Sequence, residues 1–155
     1  MSKAVSPAEL IELERIHTDL EIQNRIEATM ATVAPHPRYE HHPMGYVIST
    51  RAAVEEMYRR ILPKRNALFA GVTLPKGHER VKRAVAFGDN FITTETEFSF
   101  PLPNGEFQRT TSCVVMAFEN KLVKSERVYL DRHYNALMRD FLGPSFAFFP
   151  GVLSW

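Results

Sequence analysis

From Glu79 to Asp131 the chain alternates long runs rich in β-branched and aromatic residues with short turn sequences, and this pattern leaves few folds open. Arg80 to Phe87 closes on Gly88-Asp89-Asn90. Phe91 to Phe100 and Glu106 to Glu119 flank Pro103-Asn104-Gly105, and Asn120-Lys121 turns into Leu122 to Asp131. Asn-Gly between two such runs is a strong hairpin signal. Four strands joined in order by tight turns predict an antiparallel meander, which needs other elements to cover one of its faces.

The covering elements come earlier in the chain. Ser6-Pro7-Ala8-Glu9 is a helix start, with a serine cap, proline in the first turn and glutamate three residues after the serine. Leu10, Leu13, Ile16, His17 and Leu20 follow at helical spacing, and Ile22, Ile26, Met30 and Val33 carry the stripe across a bend or break. Pro35 and Pro37 are expected to end this helical region. Arg38 to His42 reads as a short strand stopped by Pro43, and Tyr46-Val47-Ile48 as another. Ser49 or Thr50 then caps a third helix carrying Val54, Met57, Tyr58, Ile61 and Leu62, expected to stop at Pro63. Residues 63–78 read as a loop of the kind that often forms a lid.

Tyr134 to Phe141 is a terminal helix closed by Gly143-Pro144, and a tail over residues 144–155 adds Phe146, Phe148, Phe149, Leu153 and Trp155. The fold class is therefore α+β: a cone-shaped, curved antiparallel sheet wrapped around three N-terminal helices, with a short C-terminal helix and an aromatic tail. A cone keeps one open mouth, and pockets favour such mouths.

With 155 residues, 45% of them hydrophobic, residues 1–155 are read as a single domain with one sizeable core, residues 1–6 forming a flexible start. A net charge of +1 argues against nucleic acid or an anionic membrane as partner. Locally, Arg59, Arg60, Lys64, Arg65, Lys76, Arg80, Lys82 and Arg83 form a basic region, either a solvated surface or an attraction for an anionic substrate. Cys113 is the only cysteine, so no intrachain disulfide is possible and its apolar neighbours suggest a structural residue. The first residues lack the apolar core of a signal peptide, and the run from Cys113 to Phe118 is too short to span a bilayer. A cytoplasmic protein is expected.

The segment Ser125-Glu126-Arg127-Val128-Tyr129-Leu130-Asp131 carries the chemistry-bearing candidates. Side chains alternate along a strand, so Arg127, Tyr129 and Asp131 share one face while Val128 and Leu130 take the other. The polar face either meets solvent or lines a pocket. His42 could pair with Asp131, the carboxylate fixing the tautomer of an imidazole that takes a proton near neutral pH. Equally, Asp131 could simply cap the following helix. His17 and Glu21 stand one helical turn apart and could hydrogen-bond. Tyr58, beside Met57, suits the core as well as a ligand wall. His36, His41 and His42 cluster, but neighbouring strand residues point to opposite sides and the remaining ligands are too few, so no metal is expected. No phosphate loop, dinucleotide motif or nucleophile elbow is present, and no cofactor is expected.

Three motifs together with the element order carry a resemblance: Ala31-Thr32-Val33-Ala34 leading into His36-Pro37-Arg38-Tyr39-Glu40, the helix Arg51 to Leu62, and Glu126 to Asp131. From about Leu10 to Gly143 the chain resembles the nuclear transport factor 2-like superfamily, and within it the SnoaL-like branch of polyketide cyclases and ketosteroid isomerase relatives. The resemblance implies a cone-shaped fold, a hydrophobic cavity for a small-molecule ligand and a homodimer. It also implies Asp131 as the acid/base of the cyclases and a concave setting for Arg127 and Tyr129, which would orient a substrate oxygen with His17. His42 holds the place of the isomerase's proline-preceding aspartate base. The place of that enzyme's protonated aspartate falls on Val114, which cannot donate a hydrogen bond, so Val114 and Met116 are expected to contact the ligand as apolar wall. The function so implied is a cofactor-independent cyclase, isomerase or lyase acting on a hydrophobic carbonyl compound, or else a ligand-binding or assembly domain of the same fold.

Overall fold

The computed structural model describes residues 5–155. Helix α1 (Pro7–Ile22) starts on the Ser6 hydroxyl, which accepts from the Glu9 N–H. The chain breaks at residues 23–25 and resumes as α2 (Ile26–Ala31). Of the expected flexible start, residues 1–4 lie outside the described residues. Val5 and Ser6 are fixed, Val5 by donating its N–H to Asn90 Oδ1 at 3.0 Å.

Strand β1 (Val33–His42) is longer than the sequence predicts, because Pro35 and Pro37 lie inside it rather than before it. They sit where its register slips, between Val33 and Arg38, so the missing N–H groups fall on an irregularity that tolerates them. After β2 (Tyr46–Ile48), helix α3 (Arg51–Phe69) begins on the Thr50 hydroxyl, which accepts from Ala53. It does not stop at Pro63. Buried Tyr58, Ile61 and Leu62 lie before the proline, and the last turns behind it are held against the interior, so packing outweighs the lost hydrogen bond.

The meander follows as expected: β3 (Val81–Gly88), β4 (Phe91–Pro101), β5 (Phe107–Glu119) and β6 (Leu122–Leu130), all antiparallel. Strand β6 then pairs with β1 in parallel. Helix α4 (Arg132–Leu142) follows, capped by Asp131. The tail is not loose: it forms a 3-10 turn (Pro144–Phe148) and strand β7 (Val152–Ser154), antiparallel to β2. The sheet order is β3-β4-β5-β6-β1-β2-β7. Register shifts in β1, β3 and β6 bend it, and the core lies between its concave face and the helices.

Candidate active site

The concave face and the inner sides of α1, α3 and α4 enclose a cavity of about 510 Å³. Its sheet wall is set by register. Thr94 lies opposite Val114 and Thr96 opposite Ser112, while Val114 pairs with Val128, Ser112 with Leu130 and Met116 with Glu126. Most of the lining is apolar, with a few polar groups converging inside it, which is the usual make-up of a small-molecule pocket.

At one end lies a buried network built on His17, which has no exposed surface. The Thr32 hydroxyl donates to the Thr29 carbonyl at 2.6 Å, so its oxygen is left to accept from His17 Nδ1 at 2.5 Å. His17 Nε2 lies 3.0 Å from the Tyr58 hydroxyl, which in turn donates to Tyr39 at 3.4 Å. Two carboxylates flank the same nitrogen, Glu126 at 3.1 Å and Glu21 at 3.3 Å. Both ring nitrogens therefore act as donors, which describes an imidazolium. Burial alone would lower the His17 pKa, but hydrogen bonds to Glu126 and Glu21 raise it to about 10. The carboxyls split. Burial, with the charge of Glu21, raises Glu126 despite His17, whereas His17 outweighs burial at Glu21 and lowers it. Tyr39 and Tyr58 are raised by burial and by these carboxylates.

His17, Glu21 and Glu126 offer three ligand atoms within 4.8 Å of one another, a grouping that the sequence reading did not weigh. As they stand, the imidazolium between the two carboxyls supplies the positive charge that a cation would bring. The network opens into the cavity through Glu21 and Glu126, since His17 itself lies behind the lining.

The second polar group is His41, on β1, beside Val128 in register. It is 4% exposed, lines the cavity, and both its ring nitrogens lack a hydrogen-bond partner among the described residues. Burial is the main cause that lowers its pKa, to about 4, so the ring is neutral at pH 7.

No protein-family profile matches the chain, and no curated protein matches it. Solved structures do match. A nuclear transport factor 2-like protein of unknown function from Cytophaga hutchinsonii is 16% identical, with TM-score 0.58, over 78% of this chain and 98% of that one. The chain has the nuclear transport factor 2-like fold. An LEH-like epoxide hydrolase from M. tuberculosis is 14% identical, with TM-score 0.59, over 85% of this chain and 91% of that one. TerC, co-crystallised with polyporic acid, is 10% identical with TM-score 0.59, over 84% and 98%. At these identities the likeness concerns the fold alone.

Within the nuclear transport factor 2-like frame, Tyr58, Val114 and Met116 line the cavity, and His17 backs it through Tyr58. Arg127, Tyr129, Asp131 and His42 do not line it. The concave face of β6 takes Glu126, Val128 and Leu130, so Arg127 and Tyr129 point outward, opposite Val115 and Cys113. The reason is hydrophobic: a largely apolar hollow draws Val128 and Leu130 inside, and parity sends their neighbours out. Asp131 accepts from the N–H groups of His133 and Tyr134 at 3.0 Å each and from Thr111 at 2.8 Å. These backbone hydrogen bonds outweigh burial and hold its pKa below the usual carboxylate range. His42 stacks on Tyr129 at 4.7 Å and against Trp155 at 5.0 Å, outside the cone. The same parity that turns His42 out turns His41 in. Sequence reasoning weighed His41 only as a metal ligand and gave Glu126 no role. A signal existed in Glu126 standing in phase with Val128 and Leu130.

Proposed function

We propose that this chain is a cofactor-independent acid/base enzyme, an isomerase, lyase or cyclase that acts on a hydrophobic carbonyl compound held in the cavity. The observation that carries the reading is the neutral, unpartnered His41 in the same apolar hollow as the buried Glu126, whose pKa burial raises. His41 takes the proton from a carbon next to the substrate carbonyl. Glu126, as the carboxylic acid, donates a hydrogen bond to the oxygen as negative charge builds there, with His17 and Tyr58 supporting it from behind. His41 then returns the proton to another carbon in an isomerisation, or the enolate expels a leaving group in an elimination. Burial bears on both roles, since it keeps the imidazole uncharged and so free to accept a proton, and it raises the pKa of the carboxyl. Working as a homodimer is part of the same proposal, supported by the half-exposed apolar residues on the outer face of β5.

The test is exchange of α-protons. Hydrophobic ketones are incubated with the protein in D2O and the loss of their α-proton signals is followed by NMR. His41→Ala and Glu126→Gln are expected to slow exchange by about 10²- to 10⁴-fold while the melting transition stays cooperative. Exchange that continues unchanged in both variants overturns the acid/base reading. A ligand retained by the native protein with no exchange at all favours a binding protein instead.

A further inference from the structure

The cavity also carries two arginines that form no ion pair among the described residues. Arg65, from the last turns of α3, and Arg80, just before β3, both line the hollow, as does Tyr134 from α4. Most nearby cations are held by carboxylates: Arg59 by Glu55, Arg60 by Glu56, Lys82 by Glu14, and Arg83 and Arg109 by Glu97. Among the described residues Arg65 and Arg80 make no such pair, and Arg65 Nη2 is buried without a hydrogen-bond partner. A buried guanidinium nitrogen left unpaired is costly, and its usual complement is a carboxylate or phosphate oxygen. The acids in the lining do not supply that complement. Glu14 is engaged by Lys82 at 2.6 Å, Glu21 and Glu126 flank His17 at 3.3 and 3.1 Å, and Arg65 acts on Glu21 through its charge without an ion pair. Both arginines, and Glu21, act electrostatically on the Tyr134 hydroxyl, which places Tyr134 near all three.

We infer that the ligand is an amphipathic carboxylate whose anionic group lies between Arg65 and Arg80, near Tyr134, while its apolar body fills the cavity toward His41 and Glu126. The inference rests on the proposed use of this cavity and adds the substrate class, a carbonyl compound that also carries a carboxylate. A neutral terpene or steroid would leave the buried Arg65 Nη2 without an acceptor, while Arg80 is exposed at the surface. Arginine suits this role because its charge does not depend on pH and its planar fork matches a carboxylate.

The experiment uses calorimetric titration of the full chain with 4-phenylbutyrate, which has no ketone to react, and with its primary amide. The carboxylate is expected to bind about tenfold or more tightly than the amide, and that preference should shrink at high salt. In Arg65→Gln/Arg80→Gln the two compounds should bind alike. Arg65→Lys/Arg80→Lys, which keeps the charge and most of the packing, should retain part of the preference. Equal binding of acid and amide by the native chain overturns the inference, as does a preference that survives the glutamine pair with an unchanged melting temperature. Failure of the catalytic reading reads differently: selective carboxylate binding without α-proton exchange leaves this inference standing and removes only the chemistry.

Discussion

Asp131 uses both carboxylate oxygens on backbone donors, Oδ1 toward His133 and Tyr134 and Oδ2 toward Thr111, so it ties the start of α4 to β5. Asp131→Ala should cost about 1–2 kcal/mol in urea unfolding, Asp131→Asn should cost less, and neither should alter ligand binding in the cavity. Loss of binding without loss of stability would restore the role that the resemblance implies for it. His41 makes a pH prediction. Its folded pKa is about 4, below the ordinary value of 6.5, so the unfolded chain takes up a proton that the folded one refuses. Stability is therefore complete above about pH 6.5 and falls as pH drops toward 4, by roughly 3 kcal/mol over that span. His41→Phe, a buried apolar replacement, should flatten this limb, and an unchanged acid limb would show that another group titrates there. His17 has the opposite sign: its raised pKa gives stability that is full below about pH 6.5 and lost as pH climbs toward 10. At this scale the sequence marked a strand that lines the cavity, but chose its outward face. Period two gives two equivalent phases, and only knowledge that the hollow is apolar chooses between them.

Elements were legible wherever local chemistry decides them. The Ser6 and Thr50 caps, the turn at Asn104-Gly105 and the four meander strands all follow from side chains acting within a few residues of themselves. What was not legible depends on distant partners. Pro63 is a helix breaker by itself, yet α3 continues to Phe69 because its face packs on the interior on both sides of the proline. The tail is the larger case. Phe146 has no exposed surface, meets Tyr46 edge-on at 5.7 Å and lies beneath the Arg60 guanidinium at 5.4 Å. Beyond it, Gly151 takes a φ of +92° beside Thr50, where an added Cβ would lie 2.3 Å from the capping hydroxyl oxygen. The tail thus seals the N-terminal end of α3, and β7 extends the sheet past β2. Phe146→Ala should cost about 3–5 kcal/mol in urea unfolding. A cost below about 1 kcal/mol would mean that the tail is only draped over the core.

At the scale of the whole molecule, a curved sheet has two faces with different duties. The concave one is taken up by the helices and the cavity. The convex one shows Cys113, Val115 and Ala117 along β5, each only partly buried, and Tyr129 beside them on β6 at 41% exposed. A second copy of the chain placed on this face would cover these residues and would stiffen the sheet on which His41 and Glu126 are mounted. Val115 is the place to test the proposed homodimer, because it lies opposite Thr93 on one side and Arg127 on the other. Val115→Lys puts a second cation beside Arg127 and exposes no new apolar surface, so it should leave the single chain folded while repelling a partner. Sedimentation equilibrium is expected to give twice the mass of one chain for the native protein and close to one chain mass for the variant at the same concentration. Because the cavity is enclosed by one chain's own helices and sheet, 4-phenylbutyrate should still bind the separated variant. A native protein that sediments as a single chain at high micromolar concentration would remove the dimer and leave the convex face as ordinary solvent-exposed sheet.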